Sequence, residues 1–234
     1  MEFKIFINFK TYPQGTGERA VRLAREIREV QEGLEGRGGE ITVIPIVQVA
    51  DVLRIKQAVE VPVWVQHVDF QPQGQFTGWI NLEAVIEAGA SGCLLNHSEH
   101  RIPPGTVKQI LGRVRGVGDV GENKRFEVMV CCKTLGQMER LAKLKPDYIG
   151  YEVSELIGGK VSIVDYNPTV IKHAAEICGQ IPLIIGAGIH QAEDLKKARS
   201  LGAKGVLISS AVVLAENPGE KLGELIANLR DVHF

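Results

Sequence analysis

The chain has 234 residues, enough for one large α/β domain or two small ones. Charged residues make up 24% and hydrophobic ones 44%, and the net charge is -1 with acids and bases interspersed. That balance lacks the basic footprint of a nucleic-acid binder and offers no polybasic cluster for an anionic membrane, so the expected partners are small molecules and further copies of the chain. No stretch is long and apolar enough to span a bilayer. The start, Met1-Glu2-Phe3-Lys4-Ile5-Phe6-Ile7-Asn8, lacks the parts of a signal peptide and reads as a first strand. The four cysteines, Cys93, Cys131, Cys132 and Cys178, show no C-x-x-C spacing. Buried free thiols in a reducing cytoplasm follow from that, rather than a zinc site.

Short apolar runs alternate with amphipathic segments from end to end. Phe3 to Phe9 predicts a strand. Thr16 to Glu32 predicts a helix, with Ala20, Leu23, Ala24, Ile27 and Val30 on one face. Strand and helix then recur as Ile41–Val47 and Ala50–Val59. Val61–Val65 is a third strand, followed by the loop Asp69–Trp79 and the helix Leu82–Ala88. Gly92–Leu95 is the fourth strand, and Pro103-Pro104 opens a helix to about Gly116, since proline suits a first helical turn. After a charged turn at Asp119–Arg125 come the strand Phe126–Cys132 and the helix Thr134–Leu144, ended by Pro146. Asp147–Tyr151 is the sixth strand. The helix Asn167–Cys178 starts with Asn167 as cap and Pro168 in its first turn. Pro182–Ile185, Gln191–Leu201, Gly205–Ile208 and Pro218–Arg230 complete the series as strand, helix, strand and helix.

Eight strand–helix units with short linkers, and apolar strands without clean alternation, predict a parallel sheet covered by helices. At this length the expected fold is α/β, a closed (β/α)8 TIM barrel forming a single domain over residues 1–234. A doubly wound open sheet would want a glycine-rich turn after an early strand, whereas the first strand leads into Asn8-Phe9-Lys10-Thr11-Tyr12. In such a barrel the site lies at the C-terminal strand ends. Those ends carry Asn8 and Lys10, Gln66, Asn96-His97-Ser98-Glu99, Glu152, Gly186-Ala187-Gly188 and Ser209-Ser210. Glu152 is followed by a loop with Gly158-Gly159-Lys160. A carboxylate at a buried strand exit wants water or a partner, and a glycine pair brings bare backbone N–H groups close to an anion.

This set, in this order, resembles the triosephosphate isomerase family, in particular its compact archaeal-type members. The matching pieces are Asn8-Phe9-Lys10-Thr11-Tyr12, Gln66-His67, Thr77-Gly78, Leu95-Asn96-His97-Ser98-Glu99, Tyr151-Glu152, Glu155-Leu156-Ile157-Gly158-Gly159, Gly186-Ala187-Gly188-Ile189 and Gly205-Val206-Leu207-Ile208. They span nearly the whole chain. The resemblance implies interconversion of dihydroxyacetone phosphate and D-glyceraldehyde 3-phosphate without cofactor or metal. It implies a homodimer or homotetramer, in which the third loop, including Thr77, reaches a partner subunit, and it gives Glu99 a supporting role beside Lys10.

The chemistry fits these residue types. Glu152 is placed as the carbon base, His97 as a neutral electrophile and proton shuttle, and Lys10 as fixed positive charge for the developing oxyanion. Asn8 would orient the lysine or the substrate. Phosphate is expected between the Gly186, Ala187, Gly188 turn, the Ser209-Ser210 helix start and the lid glycines Gly158 and Gly159, held by backbone N–H groups. His67, His100, His173, His190 and His233 are read as ordinary histidines. Two departures from the family pattern stand out. Val153 follows the base where proline is usual, and Ser209-Ser210-Ala211 lacks the usual glycine. They motivate the alternative of a non-catalytic barrel that binds a phosphorylated metabolite. A phosphosugar epimerase is weaker, because the metal-binding set it wants is missing from the strand ends.

Overall fold

The computed structural model describes residues 2–34, 41–117, 119–120, 124–153, 162–227 and 229. Eight parallel strands close into a barrel: β1 (Phe3–Asn8), β2 (Ile41–Val47), β3 (Trp64–Val65), β4 (Gly92–Leu95), β5 (Glu127–Cys132), β6 (Tyr148–Glu152), β7 (Leu183–Gly186) and β8 (Gly205–Ile208). The ring is β1-β8-β7-β6-β5-β4-β3-β2, closed where Lys4 to Ile7 pair in register with Gly205 to Ile208. The expected (β/α)8 architecture is therefore present. β3 is shorter than its apolar run predicts. Pro62 has no N–H to give the ladder, and the pairing starts only at Trp64.

The pleat sorts side chains strictly. One buried cluster fills the barrel interior: Phe6, Ile44, Ile46, Trp64, Leu94, Met129, Cys131, Tyr148, Ile184 and Leu207. The rings of Phe6, Trp64 and Tyr148 meet at 4.9–5.7 Å in tilted and edge arrangements, each pair adding about 0.5–1.5 kcal/mol beyond area burial. Gly92 is what admits Trp64, since a Cβ there would lie 2.4 Å from the indole. A second cluster joins the outward strand residues, such as Ile5, Val43, Val130 and Ile185, to the inner faces of the surrounding helices.

Those helices are α1 (Glu18–Glu32), α2 (Val52–Ala58), α3 (Leu82–Glu87), α4 (Pro104–Val117), α5 (Leu135–Ala142), α6 (Ile163–Tyr166), α7 (Pro168–Cys178), α8 (Ala192–Ser200), α9 (Ser210–Val213) and α10 (Pro218–Ala227). Asn167 caps α7 as read from the sequence, its Oδ1 accepting from the Val170 N–H at 3.1 Å. The charged segment expected as a turn includes two short antiparallel pairs, Asp119 with Arg125 and Val120 with Lys124. The short helix α6 has no counterpart in the sequence reading: four residues are too few for a periodic signal, and its start is set by Ser162, whose Oγ accepts from the Val164 N–H at 3.4 Å. No helix among the described residues is long and apolar enough to cross a membrane.

Candidate active site

At the C-terminal end of the barrel, Asn8, Lys10, His97, Glu152, Ala187, Gly188, Ser209 and Ser210 line one pocket together with Tyr12, His190, Leu207 and Ala211. Eight of the twelve residues expected at the site thus converge. Glu99 stands beside the pocket, its Oε1 2.5 Å from Lys10 Nζ. Gly186 lies behind Glu152. Gly158 and Gly159, in the expected lid, fall outside the described residues.

Glu152 is the last residue of β6 and points into the barrel, because it shares a strand face with the inward Tyr148; its register partner on β7 is Gly186. A Cβ at position 186 would sit 2.7 Å from Glu152 Cγ and 2.9 Å from Oε1. This glycine therefore holds open the space in which the carboxylate lies. Glu152 is buried, and its Oε2 has no hydrogen-bond partner among the described residues. The nearest cation-forming group is His97 Nε2 at 3.4 Å. A buried acceptor left unpaired costs about 1–3 kcal/mol. Beneath it lies Cys131, whose thiol is pushed well above its ordinary range by burial and further by the Glu152 charge.

His97 follows β4. Its Nδ1 accepts the backbone N–H of Glu99 at 3.2 Å. An imidazole nitrogen that accepts carries no proton, so the neutral ring has its N–H on Nε2, on the side of Glu152. Residues 98–100 form a turn, α4 begins only at Pro104, and the Glu99 amide selects the tautomer. Asn96 braces this turn: its Nδ2 donates to the Cys131 carbonyl at 2.8 Å and its Oδ1 accepts from the Ile102 N–H at 3.1 Å.

Lys10 lies two residues past the end of β1 and has φ 48°, a left-handed backbone that costs a non-glycine residue on the order of 1–3 kcal/mol. Asn96 (φ 57°) and Ala187 (φ 79°) are the equivalents after β4 and β7. Three of the four non-glycine residues with positive φ among the described residues are therefore at this mouth. Asn8 Oδ1 accepts the Lys10 N–H at 3.0 Å, and Ser209 Oγ donates to the Asn8 carbonyl at 2.7 Å. That second bond ties the exits of β1 and β8 together, so the Ser209 hydroxyl is already engaged and its backbone N–H is what it has to offer the pocket. Ala211, the position where glycine was expected, is half-buried on the pocket wall.

The site also contains members that the sequence did not single out. His190, read as ordinary, lines the pocket and its backbone N–H donates to Asp194 Oδ2 at 2.9 Å. His67 is buried, with Nε2 3.1 Å from Asp69 Oδ1, and its ring meets that of His100 at 4.6 Å. Asp69 in turn ties the base of the third loop, its Oδ2 accepting from the Ile80 N–H at 2.7 Å. Of these contacts, that of His67 with His100 joins two separate loops, and no local spacing announces it.

The sequence is similar to known proteins over nearly its whole length. The family model described as triosephosphate isomerase matches residues 3–228. Proteins named triosephosphate isomerase are similar over nearly the full length. The one from Methanosarcina acetivorans is 37% identical over 226 residues, covering 95% of this chain and 96% of its own. That from Methanocaldococcus jannaschii is 36% identical over 226 residues, with 95% and 98% covered. That from Methanobrevibacter smithii is 33% identical over 229 residues, with 96% and 98% covered. With the closed barrel and the converging lysine, histidine and carboxylate already in view, the chain belongs to the triosephosphate isomerase family.

Proposed function

We propose that the mouth residues carry out the family's isomerisation directly, converting dihydroxyacetone phosphate and D-glyceraldehyde 3-phosphate into one another through an enediolate. The chain acts as one barrel domain and uses no cofactor or metal. The observation that supports this best is the unpaired Glu152 Oε2 facing His97 Nε2 at 3.4 Å, in a pocket shared with Lys10.

Glu152 takes a proton from the carbon beside the carbonyl, and the C–H electron pair becomes the C=C bond of the enediolate. The carbonyl oxygen receives the charge. His97 gives that oxygen its Nε2 proton and takes back a proton from the neighbouring hydroxyl oxygen; triosephosphate isomerases are themselves the standard case of this carboxylate and neutral-imidazole pairing. Glu152 then returns its proton to the adjacent carbon. The Lys10 ammonium stabilises the oxyanion as it forms, with Glu99 holding Nζ in place. The backbone N–H groups of Gly186, Ala187, Gly188, Ser209 and Ser210 hold the phosphate, and Gly158 and Gly159 close over it, keeping water from the enediolate.

A homodimer or homotetramer belongs to the same reading. Phe76 and Trp79 on the third loop are 43% and 51% exposed. A second groove, lined by Gln48, Val49, Gln66, His67, Ile80 and His100, lies beside the catalytic pocket and suits the same loop of a partner copy. Sedimentation velocity checks this, with a purely monomeric species as the contrary result.

The decisive test is a coupled isomerase assay on parent and Glu152→Ala. A general base contributes about 10²–10⁴-fold, so kcat falls by about that factor while KM changes little. Near-parental turnover in the variant removes Glu152 from the mechanism. Binding of phosphorylated metabolites by a parent protein that has no turnover would favour the non-catalytic reading.

A further inference from the structure

We propose that Gln66 is a positioning residue for Lys10, holding the lysine's backbone in the strained conformation that delivers its ammonium to the pocket. The inference rests on the catalytic reading of Lys10 above. Gln66 leaves the barrel on a rigid base: its backbone N–H donates to the Val47 carbonyl at 3.0 Å, extending the β2–β3 ladder by one residue past Val65. From there its side-chain Nε2 donates to the Lys10 carbonyl at 2.8 Å. The same nitrogen lies 3.5 Å from Asn8 Oδ1, the atom that accepts the Lys10 N–H at 3.0 Å.

Both backbone polar groups of Lys10 are therefore held by side chains, one from its own strand and one from a strand 56 residues on. This matters because Lys10 has φ 48°. A lysine left to itself relaxes to negative φ, which swings its side chain to a different face of the backbone. Neither clamp reaches Lys10 Nζ, whose partner is Glu99. The two devices are separable: Glu99 fixes the charged end, and Gln66 with Asn8 fixes the root. Gln66 also decides what Asn8 presents. With Oδ1 facing Lys10 and Gln66, Asn8 has only its Nδ2 donors for a substrate oxygen.

The amide's donor is the operative group, and this makes the isosteric Gln66→Glu an informative variant. An ionised carboxylate can only accept, so it faces the Lys10 carbonyl and Asn8 Oδ1 with repulsion instead of a hydrogen bond. Protonation restores an O–H donor. We expect Gln66→Glu to lower kcat about 10–100-fold at pH 8, as for a small misplacement of a catalytic group, with a smaller change in KM. The activity ratio of variant to parent then rises as the pH falls toward the carboxylic acid range. Gln66→Met, which lacks a donor at every pH, loses activity at pH 8 and shows no acid recovery.

The companion variant Lys10→Met separates this proposal from the reading beneath it. If Lys10→Met keeps parental activity, the role of Lys10 itself fails. If Lys10→Met is inactive while both Gln66 variants stay within twofold of parent, the clamp fails. Equal losses in both Gln66 variants without acid recovery indicate a merely structural role and also overturn the proposal. Losses that vanish at high protein concentration, with dissociation seen by sedimentation, do the same. Circular dichroism and Tm confirm folding; should Gln66→Glu not fold, Gln66→Lys, which keeps a donor, must outperform Gln66→Met at pH 8 or the clamp is wrong.

Discussion

Strand β1 carries a lysine toward each end of the barrel, and the molecule treats the two in opposite ways. At the N-terminal floor, Lys4 Nζ lies 3.8 Å from both Glu2 and Glu127 and 5.3 Å from the centre of the Tyr148 ring. Tyr148 donates to Glu127 at 2.9 Å, Arg125 pairs with Asp147 at 2.5 Å, and Asp147 accepts the Val128 N–H at 2.9 Å. Each charge there has a partner, and the backbone of Lys4 is an ordinary rung of the sheet. At the mouth, Lys10 is off the ladder with positive φ, and the buried Glu152 oxygen lacks a hydrogen bond among the described residues. The same two residue types stabilise the fold at one end and store strain and unsatisfied polarity at the other. Residues that must meet a substrate cannot be fully satisfied by their neighbours.

Substitutions at the two ends should accordingly trade places in what they damage. Beyond Glu152→Ala itself, the largest effect is expected from Gly186→Ala at the mouth. The added methyl meets Glu152 Cγ at 2.7 Å, so the carboxylate proposed as the base must move. A displacement of this size costs about 10²-fold in turnover, read as kcat against an almost unchanged KM. Activity within a few-fold of parent would mean that the base has room to reposition, and the comparison loses its sharpest edge.

At the floor the expected effect is smaller and of the other kind. Tyr148→Phe removes the hydroxyl bonded to Glu127, a loss of about 1 kcal/mol. For a chain of this size that is about 2–4 °C in Tm, with kcat unchanged. A drop in kcat comparable to its mouth counterpart would show that the two ends are coupled.

The smallest effect expected is a pH dependence between the two. Burial is the main reason that the His67 pKa is lowered from its ordinary 6.5, partly opposed by Asp69. The unfolded chain then binds more protons than the folded one below about pH 6.5, so stability rises with pH in that window and falls on acidification. Tm measured from pH 7 to pH 5 should decline, and His67→Gln should flatten that decline. An identical slope in the variant would assign the acid sensitivity elsewhere.

Much of this protein was legible in its residues. The alternation of apolar runs with 3.6-period segments places all eight strands, because burial on both faces demands it. Short local devices such as the Asn167 cap and Pro168 are legible for the same reason: their partners lie within one helical turn. Lys10, His97 and Glu152 stand at strand ends, where a barrel gathers its site. What sequence spacing could not announce are the contacts across strands. Gln66 reaching Lys10, Ser209 reaching Asn8 and Gly186 making room for Glu152 all depend on ring closure and register. Residue types alone determined which chemistry was available. Only the closed barrel, whose pleat assigns each side chain to the interior or the helices and whose register sets neighbours to within an ångström, decided how those groups are held.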